Sequence, residues 1–176
     1  MHVPAFAPLP RPPPPPGYIP PTQRNGINHT TCPKARVLSS LTTQSQSTFT
    51  GILLKAFQKK VKVFLKVRVL DVIELIEEPD KRRLFFWRDV LGDKHFDYVI
   101  CRPKTLEPLL AVEVDDPKIP RRTTTTEDVK ASAARNANFP LVRFSAASNL
   151  TPELVRQKLI AEYRLARAGP LPEEMG

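Results

Sequence analysis

Two short segments rich in β-branched and aromatic residues, HFDYVIC at residues 95–101 and LLAVEVD at residues 109–115, flank a short polar loop. This composition predicts two strands, and we suppose that they pair as an antiparallel hairpin. With Thr105 at the centre of the loop, Asp97 lies opposite Glu113. Like charges at opposed positions destabilise a hairpin, so the two carboxylates need a counter-charge.

The same register places His95 opposite Asp115, and all four side chains share one face of the hairpin. A divalent cation is one source of counter-charge, because Mg²⁺ and Mn²⁺ bind one or two carboxylates and keep several waters. Such a cation positions a bound water for attack on a phosphodiester. Two alternatives stay open: the acids pair with nearby Lys and Arg residues, or the hairpin has a different register.

The pattern over residues 41–168 predicts one mixed α/β domain with the element order α-β-β-β-α-β-α. An apolar stripe predicts a first helix over residues 45–58, with Ser45 or Ser47 as its N-cap. Alternating valines then predict a half-buried strand whose other face is largely basic. Residues 71–78 fit either a strand or a helix, and LFFWRDVLG fits a short helix or a turn.

Capping signals place the two later helices. Thr124 as N-cap and Glu127 three residues on form a capping-box pattern before an Ala-rich helix. FPLVRFS is a further strand. Thr151 as N-cap and Pro152 at the first helical position then start a final helix, whose apolar residues include Leu154.

Prolines concentrate at the N-terminus, where ten of the chain's 20 lie in residues 1–21. Proline lacks a backbone donor and favours an extended, solvated conformation. We therefore predict a disordered proline-rich tail over residues 1–40, with a ligand for a proline-binding module as the alternative. Gly169 and Pro170 end the last helix and predict a flexible tail over residues 169–176.

The chain carries a net charge of +9, which favours a polyanionic partner, nucleic acid before an acidic membrane surface. Residues 55–68 contain six cations and no acid. Such a run gives salt-dependent affinity for phosphates, although a solvated basic face is the alternative. Phe64 within it either stacks on a base or packs under a helix that covers the sheet. The cations predicted to bind nucleic acid are Lys59, Lys60, Lys62, Lys66, Arg68, Arg121 and Arg122.

Other signals exclude several classes of protein. Cys32 and Cys101 lie far apart, which predicts reduced thiols in a cytoplasmic protein rather than a zinc site or a disulfide framework. The longest uncharged run, residues 37–54, is too polar to span a membrane, and prolines interrupt any N-terminal secretory signal. No P-loop, dinucleotide-binding, serine-hydrolase or zinc-protease motif occurs.

The segments HFDYVI, KTLEPLLAVEVDD and FPLVRF, with an Ala-rich helix before the last, together resemble the bacterial domain of unknown function 2726. The resemblance covers roughly residues 46–165. That family is similar to very-short-patch-repair endonucleases in the PD-(D/E)xK nuclease superfamily. The resemblance implies a restriction-endonuclease-like α/β fold, in which helices flank a mixed sheet, and DNA as the partner.

The resemblance also implies site residues. Asp97 matches the Asp of the PD element and Glu113 the acid of (D/E)xK, so both would hold Mg²⁺ or Mn²⁺, with the backbone carbonyl of Val114 as a third ligand. Asp115 stands at the position of the superfamily lysine. Lys130 in the following helix is the candidate replacement, which would position the water or stabilise charge on the phosphate. The alternative for Lys130 is a solvated helix lysine.

Two positions depart from the family pattern. Lys118 stands in a segment where relatives often carry a histidine, and Gln46 aligns with a Glu of the first helix, which contributes more to binding a second cation. His95 either orients an acid or a water, or is a structural histidine. We expect a metal-dependent DNA nuclease. The alternatives are a domain that binds nucleic acid without cutting it and an interaction domain whose acids pair with arginines.

Overall fold

The computed structural model describes residues 35–58, 60–76, 81–115, 125–146, 149–167 and 171–176. Residues 35–39 form an exposed segment without regular structure, and Ser40–Gly176 forms the compact domain. The proline-rich stretch predicted to be disordered lies almost wholly outside the described residues.

The order of helices and strands is the predicted one, except that an additional helix stands between the first two strands. The undecided LFFWRDVLG segment lies within a full helix between the first two strands. The equally undecided residues after the first strand begin with a single turn of 3₁₀ helix, Val69–Asp71. In the described residues, the helices and longer strands are α1 Gln44–Phe57, β1 Lys62–Arg68, α2 Lys81–Gly92, β2 His95–Cys101, β3 Pro108–Asp115, α3 Thr125–Asn136, β4 Leu141–Ser145 and α4 Pro152–Ala166.

The four strands form one mixed sheet in the order β1-β2-β3-β4. The first three strands are antiparallel neighbours, and β4 runs parallel to β3 after the crossover through α3. The central strands β2 and β3 are buried over most of their length, because helices cover both faces of the sheet. The predicted mixed α/β architecture is therefore confirmed.

The first face of the sheet packs against α1 and α4. Leu53 from α1 and Leu159 from α4 meet Tyr98 and Val112 of the central strands in one buried cluster. The start of α4 is as predicted, since the Thr151 hydroxyl accepts a hydrogen bond from the Leu154 amide and Pro152 opens the helix. The side chain of Leu154 is exposed, however, and is not part of the buried stripe.

The second face packs against α2 and α3. Leu91 from α2 and Ala134 from α3 cover Val99 and Ala111, and Trp87 packs at the margin of this cluster. The small alanines of α3 let that helix lie close to the sheet. This close approach brings the N-terminal half of α3 towards the carboxylates of the hairpin.

The alternation of β1 and β2 is interrupted near Lys66, whose φ of 53° is left-handed. Val63 packs against the first cluster and Val67 against the second, although an unbroken strand would place both on one face. The paired strand shows the same change, since Tyr98 belongs to the first cluster and Phe96 to the second. Strict alternation would place Phe96 and Tyr98 on one face, but they lie on opposite faces because the left-handed residue Lys66 turns the neighbouring strand.

The C-terminal residues 171–176, predicted as a flexible tail, pack on the domain. Met175 is fully buried in the first cluster, and its carbonyl oxygen accepts a hydrogen bond of 3.2 Å from Arg156. A turn of 3₁₀ helix, Glu173–Met175, directs the methionine inward. Leu171 also packs against this cluster, so apolar contacts and hydrogen bonds together hold the segment on the domain.

Candidate metal and phosphodiester site

The hairpin has the register in which Asp97 and Glu113 stand at opposed positions when the pairing is extended by one residue. Tyr98 pairs with Val112, and continuing the ladder by one residue puts Asp97 opposite Glu113. The register shifts at the other end of the hairpin, next to Cys101, so the regular pairing lies on the side of the acids. The alternative of a different register is excluded at this end.

The carboxylate of Asp97 is fixed by three donors from three elements. Its Oδ1 accepts hydrogen bonds from the Gln46 amide at 2.7 Å and the Lys66 ammonium at 2.5 Å. Its Oδ2 accepts a bond of 3.0 Å from the backbone N–H of Val114. The side chain thus occupies a position in the β2–β3 ladder, and its orientation is set by α1, β1 and β3 together.

Gln46 is oriented by the N-terminus of α1. The N-cap is Thr43 rather than the predicted Ser45 or Ser47, and it forms a full capping box with Gln46. The Thr43 N–H donates to Gln46 Oε1 at 3.1 Å, while the Gln46 N–H donates to the Thr43 hydroxyl at 3.2 Å. Because Oε1 is used in this way, the NH₂ end of the amide faces Asp97. The spacing Thr-x-x-Gln is the sequence signal that identifies Thr43.

Replacing Thr43 with alanine is expected to cost about 1 kcal/mol of stability, because an N-cap hydroxyl is lost. Urea denaturation followed by circular dichroism measures this change. Thr48→Ala is the matched control, since Thr48 is exposed within the same helix and alanine is a good helix former there. Equal stability losses in the two variants would contradict the capping role.

Lys66 was predicted from the sequence to bind nucleic acid. In the structure it lies beside the two acids, Asp97 and Glu113. Its side chain forms an ion pair with Asp97, in which Lys66 is 37% exposed and Asp97 13%. A left-handed conformation in a non-glycine residue is uncommon and is often found at functional sites. The alternation of side chains along β1 did not predict the contact between Lys66 and Asp97, because this contact depends on the left-handed turn of the strand at Lys66.

Glu113 meets Lys130, the lysine proposed to come from the following helix. Lys130 Nζ lies 2.7 Å from Glu113 Oε2 and donates a second bond of 3.1 Å to the His95 carbonyl oxygen. The side chains are 11% and 13% exposed, respectively, so Lys130 is not the solvated lysine of the alternative. Glu113 Oε1 is buried and accepts no hydrogen bond from any residue that the structure describes.

The protonation of Glu113 reflects these surroundings. Burial raises the pKa of its carboxyl above the usual range, and the neighbouring charge of Asp97 raises that pKa further. The charge and hydrogen bond of Lys130 oppose both effects. A buried acid with a raised pKa, one paired oxygen and one unpaired oxygen is typical of a functional site.

The other predicted site residues are less central. The imidazole of His95 is exposed, and its Nδ1 lies 2.9 Å from the Asp93 carbonyl oxygen, so only its backbone contacts the site. Asp115 is partly buried, and its carbonyl oxygen accepts the Ala146 N–H at 2.8 Å. Val114 contributes its N–H to Asp97.

The remaining cations lie at the surface. Lys60 contacts the Gly176 carbonyl oxygen, Lys62 is exposed, and Arg68 forms a two-point ion pair with Asp71. Phe64 is exposed and does not pack under a helix. The predicted residues outside the described part of the chain are Lys59, Lys118, Arg121, Arg122 and the candidate cap Thr124.

The donor set fits a weakly held, hydrated divalent cation. Among the described residues no group of three or more His, Cys, Asp or Glu side chains is placed to hold a metal. Mg²⁺, however, needs only one or two carboxylates because it retains waters. Asp97 and the unpaired oxygen of Glu113 supply that number, with the Val114 carbonyl as the backbone candidate.

A family model described as Protein of unknown function (DUF2726) matches residues 38–163, a span that contains Gln46, Lys66, Asp97, Glu113 and Lys130. The chain belongs to this family. No curated protein and no solved structure matches the chain. In the described part of this DUF2726 protein, no helix is long and apolar enough to cross a membrane.

Proposed function

We propose that this protein is a metal-dependent nuclease that hydrolyses DNA phosphodiester bonds and has a restriction-endonuclease-like fold. The observation that carries the proposal is the buried oxygen Oε1 of Glu113, which has no partner among the described residues and lies near the carboxylate of Asp97. An unsatisfied buried carboxylate oxygen is costly unless a ligand uses it. The charge of Asp97 is near enough to raise the pKa of Glu113, and Mg²⁺ is a cation that binds through one or two such carboxylates.

Asp97 and Glu113 would hold Mg²⁺ or Mn²⁺, with the Val114 carbonyl as a further ligand. The bound ion supplies a nucleophilic water and stabilises negative charge on the phosphate. Gln46 and the Val114 N–H keep the Asp97 carboxylate in one orientation. Asp115, at the end of β3, adds negative charge next to the pair.

Lys130 is the candidate for charge stabilisation. Its ammonium is held by Glu113 and the His95 carbonyl, so it is positioned before any substrate arrives. A preorganised cation stabilises a developing charge without a cost of reorganisation. Lys66 is more exposed and is the cation available to the DNA backbone at this site.

Manganese calorimetry and nicking of a supercoiled plasmid test the proposal together. Glu113→Gln removes one carboxylate and is expected to abolish Mn²⁺ binding and to slow nicking by more than about 100-fold, since even outer-shell changes cost 10- to 100-fold. The matched control is Glu74→Gln, at an exposed position outside the site. Nicking by Glu113→Gln at the wild-type rate would sink the proposal.

A second candidate function is DNA binding without cleavage. The observation that favours it is the Gln46 amide, which donates to the Asp97 oxygen at a position where the family resemblance implies a Glu. In this case DNA affinity falls steeply with salt, because counterions are released, while Mn²⁺ neither binds nor supports nicking. The net charge of +9 fits both candidates.

A further inference from the structure

Helix α2 has two apolar faces, and only one of them is used by the core. Trp87 and Leu91, four residues apart, pack in the second cluster. Phe85 and Phe86 lie outside that stripe, with 58% and 60% of their surface exposed. The ring of Phe86 meets the edge of Trp87 at 6.0 Å between centroids, yet more than half of each phenylalanine stays exposed. Single exposed apolar residues are common, whereas two adjacent exposed phenylalanines on an anchored helix form an apolar patch.

Cations surround the two rings. Lys81 and Arg88 lie four residues before and three residues after Phe85, and Arg82 and Arg83 lie four and three residues before Phe86. Residues at these spacings are neighbours on a helix surface, and all four cations are exposed. Asp89 is the single acid of this helix, while Glu77, Glu78 and Asp80 precede the helix in the sequence. Residues 81–88 therefore combine two flat apolar rings with four cations.

We propose that this patch, Lys81, Arg82, Arg83, Phe85, Phe86 and Arg88, binds a single-stranded segment of nucleic acid. The cations match the phosphate backbone, and each exposed ring offers a face on which an unpaired base stacks. A duplex hides the faces of its bases, so the aromatic pair distinguishes unpaired strands from paired ones. This proposal shares with the proposed nuclease function only the expectation that the partner is a nucleic acid. Binding at the patch does not require a metal ion.

Fluorescence anisotropy of a labelled oligothymidine, in the presence of EDTA, tests the patch without any cleavage. The wild type is expected to bind this probe more tightly than a duplex of equal length. Phe85→Ala/Phe86→Ala is expected to weaken oligothymidine binding on the order of 5- to 150-fold, the range for one stacked base, and to leave duplex binding unchanged. Leu154→Ala, an exposed apolar change on α4, is the control with no expected effect.

Phe85→Leu/Phe86→Leu separates stacking from apolar docking, because leucine keeps the apolar surface and removes the ring. Weak oligothymidine binding by this variant supports the proposal. Unchanged affinity in both double variants overturns it, as does an equal loss for oligothymidine and duplex. The proposal also fails if the alanine variant keeps its affinity for oligothymidine but loses binding to phosphatidylserine vesicles or loses self-association in sedimentation. Failure of plasmid nicking alone does not affect it.

Discussion

Replacing Lys130 with methionine is expected to reduce the free energy of unfolding by about 3 to 5 kcal/mol, the range for a buried ion pair that loses one partner. The loss arises because Glu113 then keeps its burial without its counter-charge. Methionine fills a similar volume, so a cavity contributes little. Urea denaturation at neutral pH measures the effect, and Lys104→Met in the exposed hairpin loop is the matched control.

The stability loss in Lys130→Met is expected to depend on pH. Without Lys130, which lowers the pKa of Glu113, that pKa rises further above its unfolded value. A folded state with the higher pKa binds the proton more readily, so its stability falls as pH rises through that value. The difference from wild type should therefore shrink as the pH is lowered towards the ordinary glutamate range.

The double variant Lys130→Met/Glu113→Gln completes a double-mutant cycle for the ion pair. It leaves no buried charge at this position and is expected to recover part of the loss. A Lys130→Met variant within about 1 kcal/mol of wild type at every pH would contradict a buried, coupled pair, because such a small loss is typical of exposed pairs.

The hairpin and its acids were predictable from sequence because the pairing depends on two neighbouring segments and the short loop between them. Side chains alternate along a strand, so a short loop sets which residues oppose each other. This reasoning placed Asp97 opposite Glu113, and the structure has that register. Lys130 came from the family resemblance instead, and Gln46 came from the alignment of the first helix with relatives. Both lie in the site, within hydrogen-bond distance of an acid.

Features that depend on tertiary geometry were missed. The left-handed residue Lys66 changes which face each strand presents, and no residue type in β1 signals such a turn. The N-cap Thr43 carried a recognisable signal, but two serines nearby competed with it. The burial of Met175 was missed as well, since the short segment after Gly169 and Pro170 has no periodicity that would place its apolar residues in a core.

Substitutions of Asp97 and Lys66 best distinguish a metal site from a set of paired charges. Asp97→Asn keeps an oxygen for the Gln46 amide but removes the charge that a cation needs. It is expected to lose Mn²⁺ binding and to slow nicking by more than about 100-fold, above the range for outer-shell changes. Calorimetry and plasmid nicking measure the two effects.

Lys66→Met is expected to act in the opposite direction on metal binding. Its ammonium contacts the oxygen that the cation would use, so removal should tighten Mn²⁺ binding roughly fivefold, which corresponds to about 1 kcal/mol for a partly exposed charge pair. Lys62→Met, an exposed change on the same strand, is the control for general charge.

If the acids served only to pair with cations, Asp97→Asn and Lys66→Met would behave alike. Each would break the same ion pair, each would cost a similar amount of stability, and neither would alter the response to Mn²⁺. Opposite effects on Mn²⁺ affinity require a site in which Asp97 is a ligand and Lys66 its competitor. The interaction-domain alternative and the nuclease therefore make contrary predictions for Asp97→Asn and Lys66→Met. Measuring Mn²⁺ binding in the absence of DNA is enough to distinguish them.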